Sequence, residues 1–313
     1  MIIYGAGLTG LLAGNIFRSF NPDICEDKND LPNSHGALLR FRTDKVGTAC
    51  AIPFKKVRVN KVIKYDGRIF SEPNIFFSNM YSQKVTGSIM NRSINDLSPS
   101  DRYIAPFNLV KSMAENCRIK YSNSLTIDKI KNSSEPIIST IPMPDLMKMV
   151  GWKEIPEFYK QKIYTQRARI AGIKCDIYQT IYYPDPNVPH YRVSVIGDLV
   201  ISESISKPVT NAGQNITGVL INDFGFNPKK LVDIEELSQE YGKILPVDNR
   251  LRKEFIFQMT TKYNIYSVGR FATWRQILMD DIVNDLQVIE EFIRGGTDYT
   301  RWMYSQKGEK NES

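Results

Sequence analysis

Gly5, Gly7 and Gly10 follow directly on Met1, Ile2, Ile3 and Tyr4, a tetrapeptide apolar enough to be a short buried strand. A Gly-x-Gly-x-x-Gly run in that place leaves a narrow choice of folds, because it works by lacking side chains. Gly5 allows the tight turn out of the strand, Gly7 lets the backbone approach a pyrophosphate, and Gly10 lets the next helix pack close to the strand. That helix is predicted over 8–20, with Leu11, Leu12, Ile16 and Phe17 along it, and Asn21-Pro22 ends it. Leu8 and Thr9 lie at its start, where orphan N–H groups and the helix dipole favour a diphosphate. Residues 23–26 form the next strand and complete a β-α-β unit. Glu26 ends that strand nineteen residues beyond Gly7, with Asp27 beside it, where a carboxylate accepts hydrogen bonds from ribose hydroxyls. A carboxylate there repels a 2′-phosphate and argues against NADP, but it does not separate FAD from NAD. The competing reading is a glycine-rich turn that holds nothing.

At 313 residues the chain is long enough for a sizeable core and for two domains. Its 41 basic and 34 acidic residues leave a net charge of +7, which suits an anionic ligand or nucleic acid without requiring either. Cys25, Cys50, Cys117 and Cys175 are widely spaced and read as reduced structural thiols. His35 and His190 are the only histidines, which all but excludes a histidine-rich metal site. A Ser-His-Asp relay would need one of those two, and the sequence has no nucleophile elbow. The N-terminal run lacks the basic leader and cleavage site of a signal peptide, and no stretch approaches membrane-spanning length. A cytoplasmic protein without membrane partners is expected.

Further along, Asp66-Gly67 between 61–65 and 68–70 reads as a hairpin turn. The polar stretch 78–103 is expected to hold loops and short helices, followed by a helix near 107–116 and a strand at 118–121. Residues 135–142 read as a returning sheet strand, 165–257 as a strand-rich block, and 263–268 as another strand. An amphipathic helix is predicted from about 280 to 294, stopped by Gly295-Gly296. Residues 297–313 form a C-terminal tail, polar and expected to be disordered over 305–313. Lys55, Lys56, Arg58, Lys61, Lys64 and Arg68 make a basic hairpin, either a phosphate contact or the charged outer face of a half-exposed sheet. Arg40 and Arg42 alternate with Leu39 and Phe41 and could share one strand face, toward an FAD diphosphate, a substrate anion or solvent.

Near the C-terminus the chain reads Gly269, Arg270, Ala272, Trp274, Arg275, then Met279, Asp280, Asp281 and Ile282. With these residues it resembles the UDP-galactopyranose mutase family, whose pattern is Gly-Arg-x-Ala-x-Tyr-Arg, then Met-Asp and an aliphatic residue two positions on. It is more distantly similar to the amine-oxidase and protoporphyrinogen-oxidase flavoproteins. The resemblance implies FAD as cofactor in a glutathione-reductase-like fold, with Gly269 and Arg270 beside the flavin and Trp274 close to its ring system. It also implies that Met279, Asp280, Asp281 and Ile282, at a helix start, face the ribityl chain and the flavin O2 edge. A helix dipole there would stabilise charge on the reduced flavin. Thr140, in the run 137–142, looks like the strand end that approaches the adenine half. Where the mutases carry Gly-Pro-His-x-x-His-Thr, this chain keeps Gly36 and Thr43 but has Leu38, Arg40 and Arg42, so the mutase histidine is missing.

The expected fold is α/β, a Rossmann-like FAD-binding domain (1–45, 104–150 and 258–296) interleaved with a smaller, mainly β substrate domain (46–103 and 151–257). The activity that the resemblance implies is an FAD-dependent oxidoreductase that takes hydride from a carbon next to nitrogen. The partner would be a small-molecule amine or an amine-bearing nucleotide. Similar compact flavoproteins occur in bacteriophage pathways that place amino-acid adducts on thymine, which adds DNA to the expected partners. Two alternatives stand beside it: non-redox flavin catalysis on a nucleotide sugar, and a nucleotide-binding protein without turnover. No catalytic residue is assigned, and Tyr178, Tyr182, Tyr183 and Tyr191 are candidates either for the substrate wall or for the core.

Overall fold

Apolar tripeptides build one sheet and long alternating strands build another. In the computed structural model, which describes residues 1–31, 40–90, 93–172, 178–207 and 216–295, the strands run in chain order as follows. They are β1 (Ile2–Tyr4), β2 (Asp23–Cys25), β3 (Arg40–Phe41), β4 (Lys55–Tyr65), β5 (Arg68–Phe70), β6 (Ser100–Ile104) and β7 (Arg118–Lys120). The later ones are β8 (Ile137–Ser139), β9 (Lys160–Ile170), β10 (Tyr178–Tyr182), β11 (His190–Ile196), β12 (Leu199–Ser204), β13 (Leu231–Ile244) and β14 (Ile265–Ser267). The expectations placed on 35–39, on Cys175 and on 297–313 lie outside the described residues.

The first sheet is five-stranded and parallel throughout, in the order β14-β8-β1-β2-β7. β8, inside the sheet, and β14, at its edge, are buried at every position, as crossover helices require. The helices are α1 (Leu8–Ile16), α2 (Lys45–Cys50), α3 (Ile75–Thr86), α4 (Leu109–Ala114) and α5 (Ile127–Asn132), then α6 (Met143–Met149), α7 (Ile216–Phe224), α8 (Asn249–Tyr263) and α9 (Met279–Ile293). α1 packs against β1, α2, α4 and α9, while α8 lies against β14. Leu11, Leu12 and Phe17 are fully buried there with Ile3, Ile24 and Leu286.

The second sheet has nine strands, β13-β9-β12-β11-β10-β4-β6-β3, with β5 beside β4. It is mixed and strongly curled. Arg40 on edge strand β3 reaches Thr180 Oγ1 on β10 at 2.9 Å, three strands away. Phe107, just past β6, lies under the guanidinium groups of Arg167 and Arg169 of β9, 4.9 and 5.1 Å from its ring centre. Neither contact could span a flat sheet whose strands are about 4.8 Å apart. The convex side carries Ile181, Val193, Val195 and Val200 against Val219 of α7. The hairpin at Asp66-Gly67 forms as predicted, with φ of +49° and +72°.

One expectation is borne out and one is corrected. The described residues of 78–103 hold loops and short helices, with β6 at their end. Asn74 caps α3 by accepting from the Phe77 N–H at 2.9 Å, and Phe77, Tyr81 and Val85 bury one stripe of it. The strand-rich block stops at Ile244, because Asp248 accepts from the Arg250 and Leu251 N–H groups and starts α8, which buries Arg252, Phe255, Ile256 and Met259. The basic strand β4 is largely matched to carboxylates from other elements: Lys56 and Arg58 to Asp101, Lys61 to Asp96 and Lys64 to Asp223. Among the described residues no helix is long and apolar enough to cross a membrane.

Lys84 of α3 donates to three backbone carbonyls, those of Tyr183, Asp185 and His190, at 2.7–2.8 Å. It pins the loop between β10 and β11. Lys84→Met is expected to lower stability by about 2 kcal/mol, since the substitution removes three hydrogen bonds and leaves partly buried acceptors unmatched. Denaturant unfolding measures this, and a loss below about 0.5 kcal/mol would mean that the loop holds itself.

Candidate functional site

Strand β1 ends at Gly5, whose φ of +96° and N–H bond to the Cys25 carbonyl (2.8 Å) turn the chain into α1. A Cβ on Gly5 would stand 2.2 Å from Thr140 Oγ1, and the Thr140 hydroxyl donates to the Tyr4 carbonyl at 2.9 Å. The residue after β8 is therefore laid across the turn. Gly10 closes it from the helix side, where a Cβ would stand 1.8 Å from the Gly5 carbonyl oxygen. Gly7 differs from both: it is exposed, and a Cβ there meets nothing within 4 Å. It is also the N-cap of α1 and offers no side-chain cap. The first turn of α1 accordingly lacks a side-chain cap at a positive helix end, beside the open space at Gly7.

Glu26, just past β2, is buried and bends back to the same turn. Its Oε2 accepts from the Ala6 N–H at 2.7 Å and its Oε1 from the Lys28 N–H at 3.3 Å. Burial, and then the adjacent Asp27, raise the Glu26 carboxyl above the ordinary glutamate value. Asp27 is exposed, and the hydrogen bond from Glu26 holds it below its own.

The C-terminal segment enters from β14. The Val268 N–H bonds the Ser139 carbonyl, and Gly269 follows with φ of +99°. A Cβ on Gly269 would stand 2.9 Å from both Cγ2 and Oγ1 of Thr9, so the two ends of the chain touch across the crevice. Gly5, Glu26, Thr140 and Gly269 each follow the carboxyl end of one of four adjacent parallel strands. That rim is where open α/β sheets bind ligands. Arg270 is half-buried beside Phe271.

Trp274 takes φ of +47°, which turns its ring into the core, where Nε1 donates to the Leu245 carbonyl at 2.9 Å and Phe158 stacks edge-on at 4.6 Å. With Phe158, Tyr241 and Lys160 it lines a cavity of about 260 Å³. Arg275 forms an ion pair with Asp285 of α9, both side chains being buried.

At the start of α9 the side chains separate in role. Asp280 is buried and accepts from the Thr43 N–H (2.8 Å), the Thr43 hydroxyl (2.6 Å) and the Arg42 N–H (3.2 Å). Asp281 caps the helix through the Leu278 N–H and pairs with Arg42 at 2.5 Å. Met279 is half-buried, and Ile282 is in the core. Arg40 and Arg42 thus go different ways, Arg40 across the concave face of the second sheet and Arg42 to the surface at α9. Tyr182, Tyr183 and Tyr191 are buried in the packing of the second sheet. The sequence carried no signal for the Thr9–Gly269 approach, for Asp285, or for Glu203, which accepts from Arg192 and from the Tyr191 hydroxyl (3.1 Å) inside the second sheet. Thr43 is legible in the sequence only as a retained motif residue.

No protein-family model matches the chain, and no curated protein matches it in sequence. Solved structures do. A reduced UDP-galactopyranose mutase aligns with a TM-score of 0.71 at 16% identity, over 98% of this chain and 97% of that one. A CLA-producing fatty acid isomerase from P. acnes aligns at 0.57 and 12%, over 93% and 98%. A flavoprotein/dehydrogenase from Cytophaga hutchinsonii aligns at 0.53 and 12%, over 96% and 82%. The expected α/β class is borne out, and the fold is one that flavoproteins share.

Proposed function

We propose that this chain is an FAD-dependent oxidoreductase of the amine-oxidase-like kind. One observation carries the reading: an open glycine at an uncapped helix start meets, through Thr9 and Gly269, the segment that follows the last parallel strand. In this reading the N–H groups at Gly7, Leu8, Thr9 and Gly10 hold the diphosphate, Gly5 and Thr140 shape the turn, and Glu26 with Asp27 takes the ribose. Gly269, Arg270 and the start of α9 at Met279, Asp280, Asp281 and Ile282 take the flavin half, with Arg42 outside them and Trp274 packed behind. Residues 1–45, 104–150 and 258–296 form the FAD-binding part, and 46–103 and 151–257 the substrate part. FAD supplies a hydride acceptor, so the chain's own task is to orient a C–N centre and exclude water. The finer substrate is an amine or amine-bearing nucleotide, free or within DNA.

The visible spectrum of purified protein is the first test, and a screen of amines and amine-bearing nucleosides for anaerobic bleaching is the second. A folded, colourless protein that takes up no FAD on reconstitution would sink the proposal. Duplex DNA that binds without weakening as salt rises, or does not bind, removes DNA from the substrates. Glu26→Gln is expected to weaken FAD binding about tenfold, worth ~1.4 kcal/mol, read by flavin titration of the apoprotein. An unchanged affinity would remove Glu26 from the ribose site.

The near-complete alignment with the UDP-galactopyranose mutase favours a second reading, non-redox catalysis on a nucleotide sugar. It predicts interconversion of sugar ring forms with the reduced flavin only, and no bleaching by amines.

A further inference from the structure

The concave face of the curled sheet holds a surplus of positive charge that the protein does not neutralise. Arg40 extends from β3 over this face, and its guanidinium donates to the Thr180 hydroxyl at 2.9 Å. Thr180 is fully buried and exchanges a hydrogen bond of 2.9 Å with the Ser194 hydroxyl, also buried. No carboxylate pairs with Arg40 among the described residues. The nearby carboxylate, Glu203, is already taken by Arg192, with Arg192 Nη2 to Glu203 Oε1 at 2.7 Å, and by Tyr191. Burial draws the Arg40 guanidinium down to about 10, with Arg192 and Arg102 adding to the effect against the opposing pull of Tyr182 and Glu203. Arg40 and Arg192 thus have one carboxylate, Glu203, between them. Arg102 lies nearer the surface, donates to the Asp101 carbonyl and feels the Asp96 carboxylate.

Guanidinium is never deprotonated at physiological pH, so Arg40 stays charged with only the Thr180 hydroxyl as its hydrogen-bond partner among the described residues, and an anion from outside would offset the cost of its partial burial. Its place says which one. Arg40 stands two and three residues before the Arg42 and Thr43 N–H groups that Asp280 ties to the start of α9. The diphosphate site proposed above lies elsewhere, at the start of α1. We propose that Arg40 is the oxyanion anchor of the substrate pocket: it takes a carboxylate or phosphate group of the substrate in a bidentate pair, with Thr180 and Ser194 fixing its direction. Planar forks of this kind match both oxyanions. This rests on the flavoenzyme reading for the position of the pocket. It adds to that reading that the amine substrate carries an oxyanion.

Arg40→Met and Arg40→Lys in FAD-loaded protein test it. Binding of inorganic phosphate and of glycine is followed by calorimetry and by thermal shift, with chloride as control. The wild type is expected to bind one of the two oxyanions saturably, the phosphate and glycine arms telling which. Arg40→Met should weaken that binding at least tenfold, and Arg40→Lys less. Arg40→Met should keep its FAD and, without ligand, melt at or above the wild-type temperature, because a buried charge without a partner has gone. A structural arginine would melt lower on removal. Failure of both oxyanions to bind, binding within twofold of wild type in Arg40→Met, loss of FAD, or a lower melting temperature would each overturn the assignment. If the wild type instead proves colourless, the flavoenzyme reading fails first, and calorimetry on the flavin-free protein still tells whether Arg40 holds an oxyanion.

Discussion

Gly7→Ala should give a protein that folds as the parent does and cannot keep FAD, whereas Gly10→Ala should not give a stable fold. Both are the same chemical change three residues apart, and they differ only in what the added methyl group meets. At Gly10 it meets the Gly5 carbonyl oxygen at 1.8 Å, and the oxygen is backbone held by a positive-φ turn. α1 would have to withdraw from β1 by more than about 1 Å, which would open the packing of Leu11 and Leu12 on Ile3. A displacement of that kind costs about 3 kcal/mol or more, a large part of the ~5–15 kcal/mol that holds a domain together. At Gly7 the methyl group meets no protein atom, and φ of −69° suits alanine. The fold loses at most about 1 kcal/mol through the weaker N-cap. What the methyl group fills is the space that the FAD reading assigns to a diphosphate oxygen. Flavin retained after gel filtration, set beside unfolding curves, separates the two effects. Wild-type flavin content in Gly7→Ala would end the assignment of the diphosphate to α1.

The parts of this molecule that were legible in the sequence are those whose constraint is local. The strand, turn, helix and second strand at 2–25 were readable because three glycines and one proline each do a job within a few residues of themselves. Asp66-Gly67 was readable for the same reason, as was α9 from its acidic start. The start and extent of α3 were not legible, because its polar run hides a stripe of Phe77, Tyr81 and Val85 that makes sense only against the second sheet. α8 was missed because Phe255, Ile256 and Phe257 read as a strand until the cap at Asp248 is seen. The site itself was legible as residue types and illegible as directions. The motif named Trp274, but a positive φ turns that ring into the core. Arg40 and Arg42 looked like one pair, and the curl of the second sheet with the pull of Asp281 sends them apart. Periodicity cannot show such partners, since they lie more than a hundred residues away.

Asp285→Asn should destabilise the protein by about 3 kcal/mol, and Arg275→Met with Asp285→Leu should recover most of the loss. Arg275 closes the C-terminal motif, and its guanidinium meets the Asp285 carboxylate of α9 with both side chains at least nine-tenths buried. Its Nε also donates to the Thr273 hydroxyl at 3.2 Å, and that hydroxyl bonds the Gly269 carbonyl at 2.7 Å. The pair therefore holds the turn containing Gly269 and Arg270 onto the helix whose start receives Thr43. The asparagine variant takes the carboxylate away from a buried cation, while the double variant removes both charges and leaves an apolar contact of similar volume. A variant that loses less than about 1 kcal/mol at pH 7 would show that the motif is held to α9 by packing alone.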